Sequence, residues 1–307
     1  MSTQRIRTVA TEMEGPFRAE VAPRITGSRR AGFVCRTAIQ SARFFYDSVI
    51  LGMSLQPLRR KADIWFSFAK LSLGLPRKGS SAGVAGFKVS YFDQATLAYL
   101  FREIFVRQSY RLQTSKPDPV IFDCGANLGM ATLFFKFVYP RCRITGFEPD
   151  PATFELLKAN IVNNRLENVE RFNVALWSED GAIDFFSNSF DPGSLLMSTN
   201  ASRMNTPAIK VPARRLSEFI DGEIDYLKLD VEGAELQVLK DLSESGKIRL
   251  VRQMAIEYHH RIPGERSVLS NFLEILEKNG FEYQIAASGF PDPSVPRFQD
   301  LMIYAYQ

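Results

Sequence analysis

Ionisable side chains stand where several apolar runs of this chain end. Asp123 follows Val120-Ile-Phe122, Glu148 follows Ile144-Thr-Gly-Phe147, and Lys228, Asp230 and Glu232 alternate through Leu227-Lys-Leu-Asp-Val-Glu232. His259 closes Met254-Ala-Ile-Glu-Tyr258, and the chain has 2 histidines, His259 and His260. A charge within a central strand is costly unless paired. At the carboxyl end of a parallel strand it meets the crevice where open α/β sheets bind ligands. Alternation puts Lys228, Asp230 and Glu232 on one side of their strand and Leu227, Leu229 and Val231 on the other. A carboxylate or imidazole touching a hydroxyl can remove its proton. Asp230 is the first candidate for that position. Lys228 either pairs with it, holding two strand ends together, or steers the oxygen that reacts. His259 lies on the same side as Glu257, and its unperturbed proton affinity near neutrality makes it a candidate general base. A surface histidine at a strand end is the equal alternative. Glu232 and Glu235 stand near the positive end of the helix that follows Gly233, where Glu235 also suits a cap. Asp230, Glu257 and His259 are of types that ligate a divalent metal. Ligand count and geometry are not legible in the sequence, and no metal is assigned.

The segment Ile121-Phe-Asp-Cys-Gly-Ala-Asn-Leu-Gly129 joins a buried strand to a helix. Gly125 and Gly129 allow the sharp turn and a close approach of a ligand to the backbone. A nicotinamide dinucleotide fingerprint needs a glycine against the pyrophosphate at the position that Asn127 occupies. Asp123 also repels phosphate and suits a cation. S-adenosylmethionine carries an ammonium, a sulfonium and no phosphate. Asp123 is expected to hold its amino group, directly or through water, and Glu148 its ribose hydroxyls. Gly125, Ala126, Asn127 and Gly129 shape the turn beside it. Methyl transfer from such a cofactor is an in-line displacement, so the site must hold the acceptor oxygen at roughly 3 Å and take its proton.

Asp123-x-Gly-Ala-Asn-x-Gly129, Phe147-Glu-Pro149, Asn173-Val-Ala-Leu176 and Leu227-Lys-Leu-Asp-Val-Glu-Gly-Ala-Glu235 together resemble the FkbM family of S-adenosylmethionine-dependent methyltransferases. Glu103-Ile-Phe105 through Tyr110 is similar to the helix that precedes the motifs in that family. The resemblance runs from about Gly86 to the C-terminus. It implies a methyltransferase, typically acting on hydroxyls of natural products, sugars or lipids. It implies a doubly wound, mostly parallel seven-stranded methyltransferase sheet of the Rossmann-like kind. It also places backbone groups around Ala175 beside the adenine, with Trp177 stacking on the ring or filling the core, and gives Ser194 a place near the site.

The elements that must position these residues follow from periodicity. Strands are expected at 119–124, 143–148, 169–176, 225–231, 249–258, 281–287 and 301–306, and helices at 127–138, 151–164, 233–245 and 266–279. Such alternation means an α/β sheet with helices on both faces. The last two strands lack a helix between them, so one should run antiparallel. A short strand is expected over 86–92 and a helix over 94–112. Residues 181–212 break the alternation, with an added strand at 183–186 and a polar insert that reads equally as a lid or a solvated loop.

The chain divides on this reading into a disordered basic arm (1–32), an amphipathic helical extension and linker (33–83) and the catalytic domain (84–307). Residues 1–80 carry 14 Lys/Arg against 5 Asp/Glu, a net of +9; the remainder carries 24 against 29, a net of −5. The extension, which Arg59-Arg-Lys61 interrupts, reads first as a packed helical cap. Peripheral membrane contact through residues 33–78 is the second reading. No nucleic-acid-reading motif accompanies the charge. No apolar run reaches the ~18 residues of a membrane span, no secretory leader is evident, and 3 cysteines are too few for a disulfide framework. A cytoplasmic location is expected, with membrane association through the basic extension as its variant. The expected partner is a small-molecule, glycan or lipid acceptor. The rival to an enzyme is a binding protein that keeps the fold and acts through its basic arm; the acids in all the motifs argue against it.

Overall fold

The computed structural model describes residues 58–72, 80–187, 207–260, 262, 268–287 and 299–307. The basic arm at 1–32, the part of the extension at 33–57, Ser194 and the rest of the insert at 188–206 lie outside the described residues.

Helix α1 (Leu58–Ser72) buries Ile64 and Leu71. Arg59-Arg-Lys61 lies within this helix, and the stretch of the extension that it was read to interrupt, before Leu58, lies outside the described residues. Arg60 donates from Nη1 to the carbonyl of Phe137 and lies over the Phe137 ring. A hairpin follows, β1 (Ser81–Val84) and β2 (Phe87–Ser90), where a linker and a single strand were expected. Ala85 and Gly86 both have positive φ, +48° and +84°, the backbone twist that suits a two-residue hairpin turn. Ser67 of α1 accepts from Ala85 N–H, so the helix and the hairpin form one unit.

Helix α2 (Gln94–Phe101) is shorter than its apolar pattern suggested. It gives way to a wider π-type turn over Arg102–Val106, and Gln108, with φ +57°, ends the run. Ser109 binds the Glu103 carbonyl through both its N–H and its hydroxyl, which holds the turn leading to Tyr110.

The main sheet has seven strands. In chain order they are β3 (Val120–Cys124), β4 (Arg143–Phe147), β5 (Val169–Phe172), β9 (Tyr226–Leu229), β10 (Gln253–His260), β11 (Glu282–Ala287) and β12 (Gln299–Tyr306). Their spatial order is β11-β12-β10-β9-β3-β4-β5. Only β12 runs antiparallel, between β11 and β10, as the missing helix required. The chain leaves β3 toward β4 and later returns on its other side as β9. The carboxyl end of β3 is therefore the point where strand order reverses, and such a point opens a ligand crevice.

Helices α3 (Met130–Val138), α4 (Pro151–Asn163), α5 (Glu235–Glu244) and α6 (Leu269–Lys278) cover the sheet. Ile121, Ile144, Tyr226 and Ala255 face a core shared with α3, α2 and the hairpin. Phe122, Leu227, Leu229, Met254 and Ile256 face a second core with α5 and α6. By the same alternation Asp123, Lys228 and Glu257 point to the side that the N-terminal segment covers.

The expected strand at 169–176 ends at Phe172. Beyond Asn173 and Val174 the chain starts β6 (Ala175–Trp177), which joins β7 (Gly181–Phe186) and β8 (Ala208–Arg215) in a separate three-stranded sheet. The flanks of the insert are thus strands, and β8 went unread because its apolar residues are sparse. Cys124 and Cys142 are free and buried. No helix among the described residues is long and apolar enough to cross a membrane.

Candidate active site

The turn after β3 is built from residues that tolerate left-handed backbone. Gly125, Asn127 and Gly129 have φ of +82°, +49° and +93°. The helix expected from 127 consequently begins at Met130. Asn127 tolerates this conformation because its short polar side chain bonds locally, and its Oδ1 accepts from Leu128 N–H at 2.7 Å. At Gly125 a Cβ would lie 1.7 Å from the carbonyl oxygen of Asp230. Glycine is thus demanded by the packing of two strand ends, a reason the sequence did not reveal. Asp230 N–H in turn donates to the Cys124 carbonyl at 3.1 Å.

Glu148 closes the other side of the turn. Its carboxylate accepts from Asn127 N–H at 2.8 Å and from Asp150 N–H at 2.9 Å. Burial pushes its carboxyl up to about 8, against the pull of those two N–H donors. Asn173 donates to the carbonyls of Glu148 and Pro149 at 2.8 and 3.0 Å, which runs the Asn173–Ala175 segment past this acid. Ala175 itself is buried in β6, paired with Ala213.

Asp123 is fully buried. Thr132 donates to its Oδ2 at 2.7 Å, while Oδ1 has no hydrogen bond among the described residues and lies 3.5 Å from Lys228 Nζ. The ammonium of Lys228 also stands 3.4 Å from Asp230, donates to the Gly125 and Cys124 carbonyls, and lies 5.1 Å from the centre of the Tyr110 ring. Burial alone would lower its proton affinity. Asp230 and then Asp123 lead the charges that outweigh burial and hold its proton affinity above the ordinary lysine range. In this geometry Lys228 pairs with both Asp123 and Asp230 and links the ends of β3 and β9.

A second acid pair forms where β9 and β10 lie side by side. Tyr110 Oη is 3.1 Å from Asp230 Oδ2 and 2.7 Å from Glu257 Oε2. Burial, then the charge of Asp230, raises Glu257 to about 8. Tyr110 is a site residue the sequence did not single out. It stood inside the segment of family resemblance, but helical spacing said nothing of a partner 120 residues away. Thr132 was missed too, since the apolar spacing of its helix gives no sign that its hydroxyl turns back to Asp123.

His259 is buried between two glutamates, with Nδ1 2.7 Å from Glu235 Oε1 and Nε2 3.0 Å from Glu232 Oε2. Burial would lower its proton affinity, but Glu235 and Glu232 raise it well above the usual imidazole value. This environment moves His259 away from the neutral range at which a sequence reading would place a general base, and its ring links the two acids. Glu235 also accepts from Gly233 N–H at 2.9 Å, two residues before it, and no side chain caps the helix start itself. Helix α5 begins at Glu235, later than expected, because Glu232 and Gly233 have positive φ. Two groups of His and carboxylate ligand atoms lie within 4.8 Å of one another among the described residues, Asp230/Glu232/His259 and Glu257/His259/Asp300. In the first, His259 is already paired with Glu232.

A largely parallel sheet with acids gathered at the carboxyl ends of its central strands defines an α/β enzyme built around a cofactor crevice. Residues 123–283 match the family described as the Methyltransferase FkbM domain. The chain belongs to this methyltransferase family. Methyltransferase sdnD of Sordaria araneosa is 30% identical over 206 residues, which is 55% of this chain and 78% of that protein. The 31-O-demethyl-FK506 methyltransferase FkbM of Streptomyces tacrolimicus is 27% identical over 232 residues, 64% of this chain and 86% of the relative. The 2-O-methyltransferase NoeI of Sinorhizobium fredii is 31% identical over 142 residues, 40% of this chain and 57% of the relative.

Proposed function

We propose that this protein transfers a methyl group from S-adenosylmethionine to a hydroxyl of a sugar, glycolipid or secondary metabolite. The observation that carries the reading is the meeting of two acidic sets at one switch point. Asp123 and Glu148 flank the turn after β3, and Asp230 and Glu257 stand across it on β9 and β10. Two relatives, the 31-O-demethyl-FK506 methyltransferase and the 2-O-methyltransferase NoeI, bear names that describe methylation at oxygen, which supports a hydroxyl acceptor.

The residues present fit the cofactor. Asp123 Oδ1 is a buried carboxylate oxygen without a hydrogen bond among the described residues, the kind of acceptor an ammonium needs. Each Glu148 oxygen holds one backbone N–H and retains a second lone pair for a ribose hydroxyl. Gly125, Ala126, Asn127 and Gly129 form the wall between these acids, and the backbone at Ala175 would lie along the adenine. S-adenosylmethionine supplies an activated methyl group on a sulfonium, already a good leaving group.

The chain's own residues then have the following roles. Asp230, which keeps about a fifth of its side-chain surface open at 21%, accepts the proton of the acceptor hydroxyl. Lys228 holds Asp230 in place. His259, protonated, holds Glu232 and Glu235, and Glu232 at 25% exposure offers an oxygen to the acceptor.

The test is calorimetric titration of the protein with S-adenosylhomocysteine, beside Glu148→Gln and an Asp123→Ala/Glu148→Ala double variant. Circular dichroism checks that each is folded. Micromolar binding by wild type that a folded variant loses supports the cofactor half; labelled S-adenosylmethionine with hydroxylated acceptors then tests transfer. A folded wild type that binds no S-adenosylhomocysteine would overturn the reading.

A further inference from the structure

Tyr110 raises a question of proton number. Its hydroxyl lies within hydrogen-bond distance of two carboxylates, Glu257 at 2.7 Å and Asp230 at 3.1 Å, yet a phenol has one proton to give. The side chain is 5% exposed, so water cannot readily supply the missing donor. Two hydrogen bonds through one phenol oxygen require a second proton within the trio.

We propose that Tyr110 is a positioning residue through which Glu257, protonated, donates to the phenol oxygen while the phenol donates to Asp230, leaving Asp230 the charged member. The proposal deepens the methyltransferase reading and rests on it for the role of Asp230 as proton acceptor. The asymmetry comes from the surroundings. Lys228 stands 3.4 Å from Asp230 and feels its charge more strongly than that of Glu257. That cation favours an ionised Asp230 and leaves the added proton to Glu257. The high proton affinity of Glu257 agrees.

The groups around the trio come from every neighbouring element. Tyr99 lies on α2, Asp123 on β3, His259 on β10 and Asp300 on β12, with Glu232 and Glu235 after β9 and Glu103 in the turn that precedes Tyr110. Most are acidic, so a neutral Glu257 also relieves repulsion. The phenol is held in register by the Ser109 bonds to Glu103 and by Tyr139, whose hydroxyl donates to the Leu112 carbonyl at 3.1 Å. The consequence for catalysis is directional. Asp230 keeps one oxygen fixed by the phenol and the ammonium, and its negative charge is not shared with a second carboxylate.

The experiment is a ¹³C carboxyl NMR titration of the free, glutamate-labelled protein. The Glu257 resonance is assigned by its loss in Glu257→Gln. In wild type it should titrate well above the ordinary glutamate range. In Tyr110→Phe its midpoint should fall by about one pH unit, because a neutral carboxyl that donates to the phenol loses its acceptor. A midpoint that rises in Tyr110→Phe would mean the phenol donates to an ionised Glu257, and would overturn the proposal. So would a wild-type Glu257 that titrates as an ordinary glutamate, a result that stands even if Tyr110→Phe does not fold. S-adenosylhomocysteine calorimetry on wild type reads the methyltransferase proposal separately.

Discussion

Replacing Lys228 by methionine separates a positioning role from a direct one. The ammonium is almost wholly enclosed and serves two carboxylates, at 3.5 and 3.4 Å, and two backbone carbonyls. Methionine fills similar volume and removes the charge. Asp123, with no exposure at all, is then a buried anion without its cation. Breaking a buried pair from one side costs roughly 3–5 kcal/mol. That is a large part of the stability of about 5–15 kcal/mol typical of a domain. Lys228→Met should therefore shift urea unfolding at pH 7 by that amount, read by circular dichroism. Asp123→Asn in the same chain removes the orphaned charge, so the double variant should recover at least half of the loss, a compensation that a double-mutant cycle measures. The deficit should also shrink when the single variant is unfolded at low pH, where a proton can replace the ammonium. In wild type the proton affinity of Lys228 is raised on folding, so its contribution is complete below the unfolded lysine value of about 10.4 and is lost only as pH rises through the higher folded one. A single-variant loss under about 1 kcal/mol, or losses that simply add in the double variant, would refute the pairing argument and return Lys228 to the acceptor side.

Glu148→Gln should weaken S-adenosylhomocysteine binding tenfold or more in calorimetry while the protein stays folded; unchanged affinity would remove Glu148 from the cofactor half. The same variant tests proton linkage. Glu148 and Glu257 are both pushed up to about 8 in the folded chain from about 4.3 unfolded, so the folded state binds more protons between these values. Wild-type stability should then fall as pH rises from about 5 to 8, by at most about 1.4 kcal/mol per unit for each acid, and Glu148→Gln should roughly halve the slope. Gly125→Ala should cost more than about 3 kcal/mol in thermal or urea unfolding, since its Cβ would overlap the Asp230 carbonyl at 1.7 Å and its φ penalises a side chain; a loss under 1 kcal/mol would show that the strand ends move apart freely. Glu235→Gln should lower the titration midpoint of His259 seen by NMR, a simple assignment with 2 histidines in the chain. The stability that protonated His259 adds is present below the unfolded value of about 6.5 and is lost as pH rises through its raised folded one; a midpoint unmoved by Glu235→Gln would refute that account.

The sequence by itself determined the strands that carry the site and the side chains at their ends. Short apolar runs and acids at their carboxyl ends are local facts, written in contiguous residues such as Ile121–Asp123 and Leu227–Asp230. The single antiparallel strand followed from a missing helix. Left-handed turns at Asn127 and Glu232 were less legible, so the starts of α3 and α5 were read three and two residues early, while α4 starts at Pro151 as read. Where Phe172 ends its strand and Ala175 begins another sheet depends on a partner, β8, that lies 33 residues on from Ala175. The tertiary structure alone decided which charges meet. Lys228 finds Asp123 because β3 and β9 are neighbours, and Tyr110 finds Asp230 and Glu257 because the N-terminal segment covers that face of the sheet. Proton affinity followed from those meetings: an imidazole read as a base is clasped by two glutamates and keeps its proton. Burial and charge at a distance of a few ångströms depend on packing between segments a hundred residues apart, and no local pattern carries that information.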